Sequence, residues 1–281
     1  MDFKKIAQEY LIFDNHFHLR PSGRFLDAVK MFRQSGGKAL NLTNISDYSR
    51  GANGYYEKTY EETLRMAKMI RSQTGVKCAV TLGPYPLDFF FFQESGADPA
   101  AEMSKGLSLA AKIIEQGNAS AIGEVGRPHF PNDMAPVFNE FLCEVFSIAS
   151  DINCPVILHT EDLTEETVLE LESLAMRENL NPELLIKHHA MPANLAHNSK
   201  MRFSIPASRS MVRDALKYSY NFFLETDYVD DPSKGWKVLP PDSVPKRAEM
   251  IAQTRSDWER IFSSVFLDLP TKYFGNLLSI S

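Results

Sequence analysis

The chain contains little cysteine. Cys78, Cys143 and Cys154 are spread over 281 residues, and their spacing is not that of a thiolate metal site. All three lie in apolar segments, which is typical of reduced core cysteines in a cytoplasmic protein. We therefore expect neither a disulfide-stabilised fold nor a cysteine-rich zinc module.

Long apolar runs and an excess of positive charge are also missing. No segment approaches the ~20 apolar residues of a membrane span, and the first ten residues lack the apolar stretch of a signal peptide. The expectation is a cytoplasmic protein without membrane contact. The net charge of −6 argues against nonspecific binding to a phosphate backbone, although it allows a nucleic-acid substrate held by metal ions.

Several motifs and linkers that would indicate other architectures are absent. We find no internal repeat, low-complexity segment or Gly/Ser linker, so a single domain over residues 1–281 is expected. No glycine motif of a phosphate-binding loop or a dinucleotide site occurs. A serine nucleophile is not indicated either, because the G-x-S-x-G pattern is missing.

Short apolar runs alternate with amphipathic segments along the whole chain. Eight candidate strands cover residues 10–18, 38–43, 76–83, 119–124, 155–159, 183–188, 200–205 and 222–227. Helical spacing of apolar residues predicts helices at 99–117 and 137–149 and a long last helix over 247–266. This alternation predicts an α/β fold, a (β/α)8 TIM barrel of ~250 residues. A doubly wound open sheet is the alternative, because alternation alone does not separate the two.

Three connections after candidate strands are unusually long, at residues 44–57, 84–98 and 228–246. In a barrel these connections lie at the carboxyl-terminal rim, where active sites are built. The second contains four consecutive phenylalanines at 89–92. We favour a short helix packed on the barrel for this run; the alternatives are an aromatic lid and a subunit contact.

The first candidate strand carries metal-type residues in one alternating register. In LIFDNHFHL, residues 11–19, simple alternation places Asp14, His16 and His18 on one face and Phe13 and Phe17 on the other. A buried strand rarely directs two imidazoles to one place without a ligand for them. The pattern favours a metal site at the end of this strand.

Further residues of the same type end four other strands: Glu124, His159, His188 or His189, and Asp227. Imidazole and carboxylate groups are ligands for Zn²⁺, Mn²⁺ and related ions. Four imidazoles and two carboxylates fit two ions ~3.5–4 Å apart that share a bridging carboxylate and a bridging water. We expect zinc, with Mn²⁺ and Mg²⁺ as alternatives, and expect Asp227 also to accept the proton of the attacking water.

The sixth strand, LLIKHH, offers two histidines. If His188 points into the barrel, Ile186 does so too and Lys187 faces the helices. If His189 is the ligand, Lys187 lines the interior, where it could bind phosphate. Because barrel interiors are apolar, we favour His188.

The segments FDNHFH, AIGEVG, PVILHT, IKHHA and FFLETD occur in an order that resembles the TatD-like metal-dependent hydrolases, which belong to the amidohydrolase-type TIM-barrel superfamily. The resemblance extends to YFGNLLSIS at residues 273–281. It implies metal-dependent DNA hydrolysis by a metal-bound hydroxide. It also implies a set of ligands in two sites: His16, His18 and Asp227 for one ion, His159 and His188 for the other, and Glu124 as the bridge.

The sequence departs from the family pattern at two of these motifs. After GEVG come Arg127, Pro128 and His129 in place of Leu-Asp, and the sixth-strand histidine is followed by His189 and Ala190 in place of Cys-Phe. The chain thus resembles a divergent, archaeal-type branch. Arg127, His129 and His189 become candidate substrate-binding residues, since a guanidinium can grip phosphate with two hydrogen bonds. A rim salt bridge for Arg127 and an ordinary loop position for His129 are the alternatives.

Three functions are compatible with these residues. The favoured one is a dinuclear hydrolase that cleaves phosphodiester bonds in DNA or a small phosphoester. The second is an amidohydrolase or lactonase acting on a small amide or lactone, which a small apolar pocket capped by residues 89–92 would favour. The third, a metal-binding barrel that acts only as an interaction partner, has no direct support in the sequence.

Overall fold

The strands form one parallel sheet in a computed structural model that describes residues 3–129, 134–231 and 239–278, the last three without their side chains. The strands of this part of the chain are β1 (Phe13–His18), β2 (Ala39–Thr43), β3 (Lys77–Leu82), β4 (Ala121–Gly126), β5 (Val156–His159), β6 (Leu185–Lys187), β7 (Arg202–Pro206), β8 (Phe223–Glu225) and β9 (Tyr228–Val229). Each of the eight predicted strands overlaps one of β1–β8. The short β9 lies in a segment predicted as a connection.

The order of the strands decides between the two predicted architectures. The sheet runs β8-β7-β6-β5-β4-β3-β2-β1-β9, so successive strands of the chain from β1 to β8 are neighbours. A doubly wound sheet reverses its strand order at a switch point, and no reversal occurs across the strands described here. The α/β prediction is therefore confirmed, and the doubly wound alternative is wrong.

The two ends of this curled sheet lie close together. β9 pairs with β1 through Tyr228 and Val229. Asp14 of β1 accepts a hydrogen bond from the backbone N–H of Thr226, just after β8, at 3.0 Å. Within the described residues no strand ladder joins β8 directly to β1. A fully closed barrel thus stays a prediction.

Helices connect the strands and cover the outer face of the sheet. In the described residues they are α1 (Phe3–Glu9), α2 (Leu26–Gln34), α3 (Tyr55–Thr74), α4 (Asp88–Glu94), α5 (Pro99–Glu115), α6 (Ala135–Ile152), α7 (Glu165–Arg177), α8 (Arg209–Ala215), α9 (Ser243–Thr254), α10 (Trp258–Ser263) and α11 (Leu269–Leu278). A π-helical segment, Ser264–Asp268, joins α10 to α11, and 3-10 turns occur at Tyr48–Arg50, Pro182–Leu184 and Pro192–Ala196. None of the described helices is both long and apolar enough to cross a membrane.

The predicted helices at 99–117 and 137–149 are confirmed as α5 and α6, but the single last helix over 247–266 is wrong. The chain leaves the helical conformation at Arg255, whose φ is −114° and ψ 129°. Both Arg255 and the hydroxyl of Tyr220 bind the carboxylate of Asp257, which precedes α10. Periodicity did not reveal this break, because the apolar spacing continues across it.

An apolar layer fills the amino-terminal half of the sheet's interior. It comprises Phe13, Ala39, Ala79, Ala121, Ile157, Ile186, Phe223, Leu269, Tyr273 and Phe274. The rings of α11 pack on the strands, with Phe274 5.3 Å from Phe13 and Tyr273 5.5 Å from Phe223. This layer leaves the carboxyl-terminal ends of the strands for polar side chains.

Strand β1 does not keep simple alternation. Between Asp14 and Phe17 it advances three residues where β2 advances two, so it contains a β-bulge. Phe13 lies in the inner layer, whereas Phe17 packs in the cluster beneath the helices. The prediction that Phe13 and Phe17 share a face is therefore wrong, because the bulge lies between them. The bulge also changes the direction of the backbone at the point where His16 and His18 enter the site.

A second bulge lies in β4. From Gly123 to Val125 this strand advances two residues where β5 advances one, and the bulged segment directs Glu124 inward. Gly126 has a φ of 143°, and a Cβ there would overlap the carbonyl oxygen of His159. Glycine thus lets β4 and β5 approach closely beside Glu124.

The phenylalanine run forms the predicted short helix. Residues 89–92 belong to α4, where Phe92 is fully buried and the ring of Phe89 lies 5.6 Å from the ring of Phe138 on α6.

The other long connection that the structure fully describes, at 44–57, contains a 3-10 turn and the start of α3. Of the connection at 228–246, residues 232–238 lie outside the described part of the chain, as does the side chain of Asn276 in YFGNLLSIS.

Candidate metal centre

Glu124 lies between two pairs of histidines at the carboxyl-terminal ends of the strands. Its Oε1 is 2.5 Å from Nε2 of His16 and 2.9 Å from Nε2 of His18. Its Oε2 is 2.9 Å from Nδ1 of His159 and 3.7 Å from Nε2 of His188. Each carboxylate oxygen therefore faces one of the predicted pairs.

The nitrogens within each pair are close enough to share an ion. Nε2 of His16 and Nε2 of His18 are 3.1 Å apart, and Nδ1 of His159 and Nε2 of His188 are 2.8 Å apart. Two nitrogens on one ion with bonds of about 2.1 Å are separated by at most about 4.2 Å. The cluster of imidazoles and a buried carboxylate is thus compatible with divalent metal binding.

Hydrogen bonds fix the orientation of two of the rings. Nδ1 of His18 lies 3.2 Å from the carbonyl oxygen of Thr43, the last residue of β2. Because a carbonyl only accepts, Nδ1 is the donor of this hydrogen bond, and Nε2, which faces Glu124, is the nitrogen left for an ion. His159 is turned the other way, with Nδ1 towards Glu124 and Nε2 3.3 Å from the hydroxyl of Tyr85. Metal-binding histidines characteristically hold their second N–H in this manner.

The electrostatics of the cluster centre on the same carboxylate. Burial alone would raise the pKa of Glu124, but the positive charge of His16 and the hydrogen bonds that the carboxylate accepts hold this pKa well below its usual range. Burial alone would lower the pKa of His16, yet the adjacent Glu124 carboxylate raises it to about 9. Burial and the neighbouring His16 keep the pKa of His188 well below its usual range. In the absence of an ion, a proton on His16 therefore balances the charge of Glu124.

Asp227 lies at the outer edge of the cluster. Its Oδ1 is 3.8 Å from Nε2 of His18, and its Oδ2 is 3.1 Å from Nδ1 of His189. Burial would raise the pKa of Asp227, but the hydrogen bond from His189 and the nearby imidazoles of His16 and His18 lower it. The predicted ligand is thus near the first histidine pair and remains ionised at neutral pH.

The structure brings His188, not His189, to Glu124. Ile186 lies in the inner layer, and the neighbours of Lys187 in the sheet belong to the outer layer, as the alternation argument requires. Lys187 is nevertheless buried, because its Nζ turns back to donate to the carbonyl oxygen of His188 at 2.7 Å. The half-exposed His189 contacts Asp227 instead.

Glu225 is a site residue that the sequence analysis missed. It is fully buried at the end of β8, and its Oε1 accepts the backbone N–H of His189 at 2.6 Å. The same oxygen is 3.7 Å from Nδ1 of His188. Glu225 also forms, with His16 and His188, a group of closely spaced atoms that could bind a metal ion, in addition to the two groups around Glu124.

The rings of His16 and His188 stack on each other close to this carboxylate. Their centroids are 4.3 Å apart and their planes differ by 14°. Nδ1 of each ring and Oε2 of Glu225 are buried without a hydrogen-bond partner among the described residues. Alternation in FFLETD could have found Glu225, because an inward Phe223 places the residue two positions later on the same face.

Arg127 is fully engaged by protein groups. Its Nε and Nη2 bind Oδ1 of Asn139 at 2.9 and 2.6 Å, Nη1 binds Glu161 at 2.9 Å, and Nη2 lies 2.9 Å from Glu170. The rim salt bridge is the arrangement observed. These contacts attach the segment after β4 to α6 and α7, and they leave the guanidinium no free edge for a substrate.

A cleft of about 450 Å³ opens beside the second histidine pair. Its lining residues are Tyr85, Leu87, Pro128, His129, His159, Asp162, His188, His189 and Asp227. The ring of His129 is 4.4 Å from that of His159, and burial together with His159 lowers the pKa of His129 to about 4. None of residues 89–92 lines the cleft, so the helix α4 does not form an aromatic lid over it.

The comparison with known families agrees with this geometry. Residues 13–275 match the family described as TatD related DNase. The chain belongs to this family. An uncharacterized protein of Methanocaldococcus jannaschii, MJ1127, is 31% identical over 241 residues, which cover 83% of this chain and 84% of that protein. The predicted resemblance, including its archaeal-type character, is confirmed.

Solved structures share the fold at low sequence identity. YJJV, a TatD homologue of Escherichia coli K12, superposes with a TM-score of 0.64 at 18% identity, over 94% of this chain and 97% of that one. A mutant phosphotriesterase-like lactonase of Deinococcus radiodurans gives a TM-score of 0.61 at 15% identity, over 96% and 97%. Both similarities concern the fold alone.

Proposed function

We propose that the protein is a metal-dependent hydrolase that cleaves phosphodiester bonds in DNA or in a small phosphoester. One observation carries the proposal: the two oxygens of Glu124 face two separate histidine pairs. A carboxylate shared in this way is typical of hydrolases with two adjacent ions. Membership of the TatD-related family supports DNA as the substrate class.

In this proposal His16 and His18 would hold one ion, His159 and His188 the other, and Glu124 would bridge. Zinc suits these histidines best, with Mn²⁺ and Mg²⁺ as alternatives. When bound, such ions supply Lewis acidity, which makes water nucleophilic near neutral pH and offsets charge on a phosphoryl oxygen.

Asp227 is the group placed to accept a proton from the attacking water. Its carboxylate is ionised at neutral pH and faces both the first histidine pair and the cleft. We assign it as the acceptor of the proton that the attacking water loses. His189 fixes the orientation of this carboxylate, because its Nδ1 lies 3.1 Å from Oδ2 of Asp227.

A second candidate function has its own observation. The cleft has the volume of a small-molecule site, its wall includes the apolar Leu87 and Pro128, and no lysine or arginine is among its described lining residues. These features favour a small lactone or amide over a long polyanion. The same metal-binding residues would serve either reaction.

Digestion of end-labelled single-stranded DNA tests the proposal. Chelator-treated protein receives Zn²⁺, Mn²⁺ or Mg²⁺, with EDTA as a control, and we expect a metal-dependent cleavage ladder. Glu124→Ala should abolish it, whereas Glu170→Gln, which changes a carboxylate at the rim outside the cluster, should retain it. If metal-loaded protein leaves DNA and small phosphodiesters intact, the proposal is wrong, and lactone hydrolysis would then support the second candidate.

A further inference from the structure

Tyr85 is a polar residue of the cleft that the proposed mechanism does not use. It lies in the connection after β3, and its ring is 4.9 Å from that of His159 in an edge-on arrangement. Its hydroxyl is 3.3 Å from Nε2 of His159. The phenol therefore lies on the cleft side of the second histidine pair.

The other contacts of His159 determine which atom donates. Nδ1 of His159 faces Oε2 of Glu124 at 2.9 Å and Nε2 of His188 at 2.8 Å, so Nδ1 is the nitrogen available to an ion. With an ion on Nδ1, the ring would carry its proton on Nε2 and donate it to the oxygen of Tyr85. A phenolic oxygen can accept this hydrogen bond while the hydroxyl still donates its own hydrogen.

That hydrogen has no acceptor among the described residues, although the hydroxyl lies at the wall of the cleft. A phenol that accepts from a ring N–H is polarised for donation to another oxygen. The hydroxyl hydrogen is thus free to point into the cleft, where the substrate would enter.

A buried carboxylate holds Tyr85 in this place. The backbone N–H of Tyr85 donates to Oδ2 of Asp88 at 3.0 Å, and the N–H of Asp88 donates to the carbonyl oxygen of Tyr85 at 2.9 Å. Asp88 also accepts hydrogen bonds from the hydroxyls of Ser46, at 3.0 Å, and Tyr56, at 3.1 Å. The connection after β2 and the start of α3 thus fix the backbone on which Tyr85 is carried.

We propose that the hydroxyl of Tyr85 donates a hydrogen bond to the substrate oxygen on which negative charge develops, a non-bridging phosphoryl oxygen in the favoured reaction. This inference rests on the proposed function and adds a catalytic residue to it. A preorganised neutral donor of this kind stabilises the transition state more than the ground state.

Tyr85→Phe tests this role, because it removes the hydroxyl and keeps the ring. With metal occupancy confirmed by elemental analysis, we expect kcat to fall about 100-fold, as for loss of one oxyanion donor, with KM changed far less. Tyr273→Phe is the matched control: it removes a hydroxyl that donates to the carbonyl of Glu183 at the opposite end of the sheet, and it should keep full activity. An unchanged kcat overturns the proposal, and so does a loss that excess metal fully reverses, since Tyr85 would then act only through His159.

Binding of inorganic phosphate separates this inference from the proposed function. Titration calorimetry on metal-loaded protein should show Tyr85→Phe binding phosphate about 10-fold more weakly than the unmodified protein. If the protein cleaves no DNA but shows this difference, the nuclease proposal fails and the role of Tyr85 stands. Inorganic phosphate carries more negative charge on its oxygens than a phosphodiester does, so its binding reports this donor even where KM does not. Equal phosphate affinity in the two proteins contradicts donation from Tyr85 to a phosphoryl oxygen.

Discussion

At the scale of single residues, the positions of the histidines at strand ends carried most of the site prediction. His16, His18, His159 and His188 all lie at Glu124, because the carboxyl-terminal ends of parallel neighbouring strands meet at one edge of the sheet. The partners of Arg127 could not be found in this way. They lie on α6, on α7 and just before α7, and only tertiary packing brings them to the rim.

Glu225 gives a prediction at this scale. Its carboxylate faces Nδ1 of His188, so we expect it to orient this ring for metal binding. Glu225→Gln should weaken divalent metal affinity by roughly 10- to 100-fold, as measured by titration calorimetry, since outer partners of metal-binding histidines have effects of that size. Glu170→Gln serves as the control. Unchanged affinity in the Glu225 variant would show that the ring needs no such support.

The pKa of His16 gives a second prediction. In metal-free protein it is raised to about 9, so His16 is protonated at pH 7 and must lose its proton to bind an ion. Metal affinity should therefore rise with pH from 6 to 8 and level off above the pKa of His16. Calorimetry in buffers of different ionisation enthalpy measures the released protons directly. Absence of proton release at pH 7 would mean that His16 is not a ligand.

At the scale of elements, the sequence revealed which segments are strands but not how two of them are distorted. The bulges in β1 and β4 leave no signal in hydrophobic alternation, because the extra residue shifts the register without changing the composition. The short α4 was predictable from its aromatic run. The break between α9 and α10 was not, because the contacts of Asp257 that fix it involve Tyr220, far away in the sequence.

Gly126 tests the importance of the close contact between β4 and β5. Gly126→Ala would place a methyl group on the carbonyl oxygen of His159 in a backbone conformation that disfavours side chains. We expect the free energy of unfolding, measured by denaturant titration, to fall by about 3 kcal/mol.

Gly117→Ala is the matched control for that experiment. Gly117 also has a positive φ, 75°, but a Cβ there meets nothing within 4 Å, so only the backbone conformation costs free energy. Its effect should be about 1 kcal/mol. Equal losses in the two variants would mean that strand contact adds nothing at Gly126.

At the scale of the whole molecule, the order of the elements in the sequence predicted the order of the strands in the sheet. Each crossover returns the chain to the next position, so all the strand-end side chains are delivered to one edge. The net charge of −6 is the feature that fits a polyanionic substrate least well. Bound divalent ions would supply positive charge to a cleft whose described lining includes no lysine or arginine.

The number of ions bound per chain tests the central claim most directly. Native mass spectrometry of the protein, stripped with chelator and titrated with Zn²⁺, should show two ions per chain. The Glu124→Ala variant should no longer bind both ions, although circular dichroism should show that it remains folded. Such a result would agree with a carboxylate shared between His16 and His18 on one side and His159 and His188 on the other. A protein that binds no divalent ion, or a Glu124→Ala variant that binds two ions as tightly as before, would contradict the account.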